Sequence, residues 1–440
     1  MHLHGTMQVN TMGRLTIGGC DVVELAREFG TPLYIFDEEC IRNNCREFYR
    51  AFGVKEGLSR VIYAGKAFLT TAMCRIIAGE GLGLDVVSGG ELYTALAAGF
   101  PVEKIYFHGN NKSYAELCQA LEAGIGRFVV DNFAELELLS RLSTERGQVA
   151  RVILRITPGI EAHTHNYIRT GQIDSKFGFT LPNGQALEAA KRVKDLPGIE
   201  FKGLHCHIGS QIFELEPYSQ AVAVMLELAA AIKEATGLIT AELDLGGGFG
   251  IYYTAEDHPL PVSAYAETIF NRIKEETRNL NLPQPLVIVE PGRAIIGPAG
   301  STAYTVGSIK EIPGIRKYVA VDGGMADNIR PALYGAKYEA ILANKANLPA
   351  TETVAVTGKC CESGDMLIWE ADLPRAEAGD ILVISCTGAY GYTMASNYNR
   401  LGRPAAVLVR EGNADLILKR EDYNDLLRND VIPARLACTR

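Results

Sequence analysis

At 440 residues the chain exceeds what one ordinary core serves, so two domains are expected. Its 47% hydrophobic and 22% charged residues are those of a globular protein, and a net charge of −9, from 43 basic and 52 acidic side chains, argues against a nucleic-acid surface. No apolar run approaches the ~18 residues of a membrane span. The start MHLHGTMQVN lacks the pattern of a secretory leader, and ten cysteines without paired spacing read as a reduced, cytoplasmic protein.

In chain order, short apolar runs at 14–17 and 32–36 come first. From about residue 60 a regular alternation begins, with strands predicted at 61–65, 82–86, 104–108, 127–131, 151–156, 201–207, 242–246 and 286–290. Apolar residues at helical spacing fill the intervals, as at 69–79, 113–123, 133–146 and 216–236. Eight strands each followed by a helical stretch predict an α/β fold of the (β/α)8 barrel type. A doubly wound sheet is the alternative, but it usually needs fewer repeats. Beyond about 296 the beat changes to strand after strand, at 302–310, 316–322, 351–357, 365–369, 381–386 and 404–410, with helix only near 421–428. That pattern predicts a C-terminal β domain, a sandwich or barrel, which the two N-terminal runs can join. The expected division is 1–36 as strands of the β domain, 37–295 as barrel and 296–440 as β domain.

Barrel enzymes gather their chemistry where strands end. Those ends carry Lys66, Asp85 with Ser88, Gly109–Asn110, Asp131, His207, Gly246–Gly248 and Glu290. A lysine is ordinarily a solvated surface group; at a barrel mouth it loses water, its pKa falls, and a neutral amine can attack an aldehyde. Glycines Gly246, Gly247 and Gly248 let backbone N–H groups approach a phosphate, although such a run is as often a tight turn. Glu290-Pro291-Gly292-Arg293 places a carboxylate that can pair with a protonated ring nitrogen beside an arginine able to bind phosphate or carboxylate. His205 and His207 share one face of a strand, which raises zinc; no further ligands stand at a familiar spacing, and stacking on an aromatic ring is an equal reading. Ser210 adds a hydroxyl for phosphate. Cys361-Glu362 lies in the β domain, where most cysteines are buried filler. Arg330 and Tyr334, at helical spacing, are a surface pair or a carboxylate grip.

Taken together the segments resemble the alanine-racemase-like, fold-type III pyridoxal-phosphate enzymes, and within them the diaminopimelate decarboxylases. The resemblance rests on YAGKAF (63–68), GLDVVSGGEL (83–92), HGNNKS (108–113), THNYIRTGQIDSKFGF (164–179), GLHCHIGSQI (203–212), DLGGGFGIYY (244–253), EPGRAIIGPAG (290–300), NIRPALYGA (328–336), CESGDML (361–367) and GAYGYTMASNYN (388–399). These run in family order over some 340 residues. The resemblance implies pyridoxal 5'-phosphate held by Lys66 as a Schiff base, with His207 stacked on the ring and Glu290 facing its nitrogen. Ser210 with the backbone of Gly247 and Gly248 would hold phosphate, with Gly292 and Arg293 lining the phosphate and substrate side. Arg293, Arg330 and Tyr334 would bind the remote carboxylate, Glu362 the remote ammonium, and Tyr390 would reach both cofactor and substrate. Cys361 would return a proton to carbon after CO2 leaves. Many relatives have Asn where Phe68 stands here, a departure with no reading of its own.

The resemblance implies decarboxylation of meso-2,6-diaminopimelate to L-lysine, the last step of lysine biosynthesis, by a homodimer with shared active sites. Relatives acting on ornithine, arginine or carboxynorspermidine are the close rivals; the CES triplet with Arg330 and Tyr334 favours a substrate bearing both charges at its far end. A non-catalytic pyridoxal-phosphate regulator would need Lys66 but neither Cys361 nor Glu362. Whether the segment 159–180 closes over the site is not legible in the sequence.

Overall fold

Strands apolar on both faces must be covered inside and out, and eight of them close on themselves. In a computed structural model describing residues 2–160 and 174–436, strands β1 (Ser59–Ala64), β2 (Gly83–Val86), β3 (Ile105–Phe107), β4 (Arg127–Val130), β5 (Ala150–Thr157), β6 (Ile199–Cys206), β7 (Glu242–Asp244) and β8 (Leu286–Val289) all pair in parallel. Each pairs with the next, and β8 pairs back onto β1, completing the barrel. A short extra strand, Phe179–Thr180, runs parallel beside β5.

Several of the following helices start on side-chain caps. Thr70, Ser88, Ser113 and Asn132 each accept a hydrogen bond from a backbone N–H of the first turn. Ser113 and Glu116 cap reciprocally. Part of the polarity at the strand ends is therefore architectural, Ser88 included.

The barrel interior follows from the two-residue period of its strands. At one end Glu242 binds Arg127 through Nε at 2.8 Å and Arg60 at 3.0 Å, and Arg60 also donates to the Tyr106 hydroxyl at 2.9 Å. Two residues further on, Ile62, Val129, Ile153 and Ile288 form a buried apolar layer with Tyr106. One more step of two brings Asp131, Arg155 and Glu290 to the opposite mouth, the layer that also holds Asp85, His108, His205 and Asp244.

The chain forms two compact units. One comprises Ile41–Tyr252 and Glu256–Gly297; the other comprises Met1–Cys40, Tyr253–Ala255 and Pro298–Arg440. In the β unit the long strand Gly300–Ile312 pairs antiparallel with Leu33–Asp37, with Arg316–Val321 and with Ile381–Ile384. Leu33–Asp37 also lies parallel to Ala405–Arg410. The run at 32–36 thus joins the large sheet. The run at 14–17 does not: Leu15–Ile17 pairs with Gln8–Val9 and Cys20–Asp21 in a separate three-stranded sheet. Gly18 and Gly19, at φ +59° and +80°, turn the chain back at once and so spend its pairing locally. Its side chains still pack with Leu33, Ile35 and Val407 in one core. Besides the short strands Gln8–Val9, Cys20–Asp21 and Phe179–Thr180, sequence reading did not anticipate Ala340–Leu342 and Asn413–Leu418. Asn413–Leu418 forms a hairpin through Glu411-Gly412, whose positive φ angles are the turn signal that sequence reading passed over.

Candidate active site

Lys66 sits in the single turn Gly65–Ala67 directly after β1. A Cβ on Gly65 would come within 2.7 Å of the Asp85 carbonyl oxygen, so only glycine lets this turn lie against β2. The Lys66 amine stands 4.0 Å from Asp85 Oδ2, and its side chain keeps 41% of its surface. The site gives this lysine reach and a carboxylate neighbour; desolvation is only partial. Phe68 is buried, and its carbonyl accepts a hydrogen bond from the Tyr63 hydroxyl at 2.8 Å, which makes it part of the scaffold beneath Lys66.

Glu290, just past β8, is buried between two imidazoles. His108 Nε2 lies 2.8 Å from Oε1 and His205 Nε2 lies 3.4 Å from Oε2. Neither Nε2 meets hydrogen-bond geometry, so both are close polar contacts and Oε1 keeps a lone pair for another donor. Burial alone would raise the Glu290 pKa; the two histidines outweigh it and hold it well below the usual carboxylate range. Burial next to Glu290 pushes Asp244 well up, and burial likewise raises Asp85. His205 pairs with Glu290, whereas His207 belongs to the glycine loop. The His207 Nδ1 accepts from the Gly247 N–H at 3.3 Å, and burial followed by the Lys66 charge pushes its pKa well down. A neutral, half-exposed imidazole face results, suited to stacking.

The glycine run is a close approach of backbones. A Cβ on Gly247 would collide with the Glu290 carbonyl oxygen, and one on Gly248, at φ +104°, would lie 2.5 Å from the Gly209 carbonyl oxygen. Beside this loop Ser210 Oγ accepts from Arg293 Nη2 at 3.1 Å and from Nε at 3.3 Å, so the structure brings Ser210 and the buried Arg293 together. Gly292 packs against Ala64 and Ala67, where a Cβ would come within 2.9 and 3.1 Å, seating this segment on the Lys66 turn.

Sequence reasoning gave no role to Asp85, His108, Asp131, Arg155 or Asp244. Their signal was the inward register of each strand, carried one step past its apolar residue. Residues 161–173, most of the 159–180 segment and of the THNYIRTGQIDSKFGF motif, lie outside the described residues.

In the β unit, Arg330 opens the short helix Arg330–Tyr334 and is buried, so it is no surface residue. Its Nη1 donates to the Tyr253 hydroxyl at 3.1 Å and the Tyr338 hydroxyl at 2.5 Å, and its guanidinium lies 5.1 and 5.7 Å from those two ring centres. Burial opposes its charge, but the two tyrosines more than offset this and raise its pKa. Tyr334 is on the same turn and half-exposed. Cys361 and Glu362 are exposed on the loop after Glu352–Thr357, where the Cys361 N–H donates to Asn399 Oδ1 at 2.8 Å and Glu362 accepts from the Gly364 N–H at 3.2 Å. Buried Asp365 ties that loop down, accepting from the Cys360 N–H at 2.8 Å and the Met325 N–H at 2.6 Å. Tyr390, half-buried, takes a positive φ of 59° in the loop after Ile381–Ile384.

Residues 38–297 match the pyridoxal-binding domain of the pyridoxal-dependent decarboxylases, the class that this barrel and its mouth define. Over nearly the whole chain the sequence is 54% identical to a diaminopimelate decarboxylase of Bacillus methanolicus, covering 96% of this chain and 98% of that protein. It is 53% identical to that of Bacillus subtilis strain 168, covering 98% of both. The crystal structure of diaminopimelate decarboxylase from M. jannaschii in complex with L-lysine superposes with a TM-score of 0.92 at 37% identity, covering 99% of this chain and 100% of that one. The chain belongs to the diaminopimelate decarboxylase family.

The residues present fit a pyridoxal group. Both Asp85 carboxylate oxygens and the His205 Nδ1 are buried without a hydrogen-bond partner, as charges and dipoles arranged toward a polar ligand are. The glycine loop is a backbone cradle that a side chain would fill, and Lys66 stands on the turn against which Gly292 packs.

Proposed function

We propose that this protein decarboxylates meso-2,6-diaminopimelate at its D-centre, giving L-lysine and CO2, with pyridoxal phosphate as cofactor. The observation that carries this reading is the 54% identity with a diaminopimelate decarboxylase over 96% of the chain. Bound pyridoxal phosphate supplies an electron sink for the pair left on carbon when CO2 departs.

The chain's own residues would do the rest. Lys66 would hold the cofactor by its amine. Glu290, ionised, would pair with the ring nitrogen and favour its protonated form. His207 would cover the ring face, while Ser210, Gly247, Gly248, Gly292 and Arg293 would hold the phosphate. Arg330, charged and held by two tyrosines, is suited to the remote carboxylate with Arg293 and Tyr334; Glu362 takes the remote ammonium, and Tyr390 touches cofactor and substrate. As the C–CO2 bond breaks, its electron pair is left on the substrate carbon, and the Cys361 S–H would deliver the proton that forms the new C–H bond.

In this reading the protein is a cytoplasmic homodimer, in which the β domain (296–440) of one subunit completes the barrel (37–295) site of the other. Exposed Cys361 and Glu362 and the exposed apolar side chains of Tyr423, Leu427, Val431 and Ile432 support an association through this unit. Among the described residues no helix is long and apolar enough to cross a membrane. Ornithine and arginine carry no remote carboxylate for Arg330. Purified protein with cofactor should release CO2 from diaminopimelate far faster than from either of them; equal or faster release from ornithine or arginine would refute the substrate.

A further inference from the structure

Four buried carboxyl groups, Asp85, Asp131, Asp244 and Glu290, share the upper layer of the barrel, and Asp131 has Arg155 3.7 Å away. Desolvation resists charging the other three together, so something must select which of them carries the charge. The selection is visible in the geometry. His108, from the end of β3, and His205, in β6, bracket Glu290 from two sides, each against a different oxygen, at 2.8 and 3.4 Å. The two rings meet edge to face with centres 5.0 Å apart, so neither can turn away without displacing the other. Asp85 is more distant, 4.0 Å from His108 Nε2. Asp244 receives one hydrogen bond on Oδ1, from the Gly246 N–H at 2.9 Å, and its Oδ2 has none.

We propose that His108 and His205 are positioning residues that fix the negative charge on Glu290 and thereby hold the proton on the cofactor's ring nitrogen. This rests on Glu290 as the acid facing that nitrogen. The directions of titration agree: Glu290 is held down by the two histidines against burial, while burial raises Asp85 and Asp244. Burial also lowers His205 to about 4, so near neutral pH it is an uncharged ring with one N–H to give. Arg155 in β5, Cys206 at the end of β6 and His207 just past it also act on Glu290, while Lys66 stands by Asp85 and Asp131 by Arg155. Arg155 favours the carboxylate, but it stands 3.7 Å from Asp131 and serves that acid first.

The test is the 15N chemical shift of the ring nitrogen in holoenzyme rebuilt with 15N-labelled pyridoxal phosphate, followed from pH 6 to 9. The wild-type nitrogen should stay protonated throughout. In His108→Leu and His205→Leu the ratio of protonated to unprotonated nitrogen at a given pH should fall by roughly 10-fold or more, about one pKa unit of lost polar interaction with the carboxylate. His108→Gln, whose amide N–H reaches the place of Nε2, should stay within about threefold of wild type, whereas the shorter His108→Asn should behave as the leucine variant does. Should the leucine variants fail to fold, the contrast of glutamine with asparagine decides. Leucine or asparagine variants with wild-type shifts would overturn the proposal. A wild-type enzyme that forms lysine with an unprotonated ring nitrogen would overturn it together with the role of Glu290, and leave the decarboxylase reading intact.

Discussion

At the scale of single residues, Lys66 and Arg330 make opposite demands on their surroundings. Lys66 must be able to exchange partners, and it stands on a one-turn helix with Asp85 at 4.0 Å. Borohydride reduction of holoenzyme should fix the cofactor on Lys66, as peptide mapping would show, and Lys66→Ala should lose essentially all turnover; a label on another lysine would contradict the assignment. Arg330 must be rigid and charged, and two tyrosine hydroxyls and two ring faces make it so. Removing one partner of a charge-assisted contact typically costs ~2–5 kcal/mol, or roughly 30-fold to several-thousand-fold in kcat/KM. Arg330→Ala should show that loss with diaminopimelate while the affinity for pyridoxal phosphate changes little. Turnover near wild type would remove Arg330 from substrate binding.

At the scale of elements, Asp327 links the end of Arg316–Val321 to the helix that carries Arg330. Its Oδ2 accepts from the Gly324 N–H at 2.8 Å, and burial, with Asp322 and Asp365 nearby, raises its pKa to about 7. The folded protein therefore binds a proton that the unfolded chain has already released above about pH 4. The contribution of Asp327 to stability should fall as pH rises from about 4 to 7, by on the order of 4 kcal/mol at most, and then level off. Asp327→Asn should flatten that slope in denaturant titrations at several pH values; an unchanged slope would assign it elsewhere. The elements themselves were largely legible in the sequence, because a buried parallel strand is a short apolar run and its helix a periodic one. Strands ended by glycine hairpins were harder. The run at 14–17 was read as able to join the β domain, and it lies in that unit, but its apolar pattern does not say which neighbour it pairs with; Asn413–Leu418, only partly buried, lacked a clear apolar alternation. Within the site, Lys66, Glu290 and the glycine run stood out as breaks in apolar strands. His108 and His205 carried the same register signal, but their common partner Glu290 lies far along the chain, and only the closed barrel brings them together. Tyr253 and Tyr338 gave no local sign of holding Arg330.

At the scale of the molecule, the proposed sharing of sites between subunits makes a clear demand. Lys66→Ala and Cys361→Ala subunits should each be nearly inactive alone. After exchange into mixed dimers, one site of the two would have both residues intact, and part of the activity should return. Exchange without recovery would argue for a site built within one chain. The central claim concerns the reaction, and the stereochemistry of the substrate reads it most directly. Purified protein with pyridoxal phosphate should convert the meso isomer of diaminopimelate to L-lysine with one CO2 per lysine, and leave the L,L isomer, which has no D-centre, untouched. Equal turnover of the L,L isomer, or CO2 release without lysine, would contradict it.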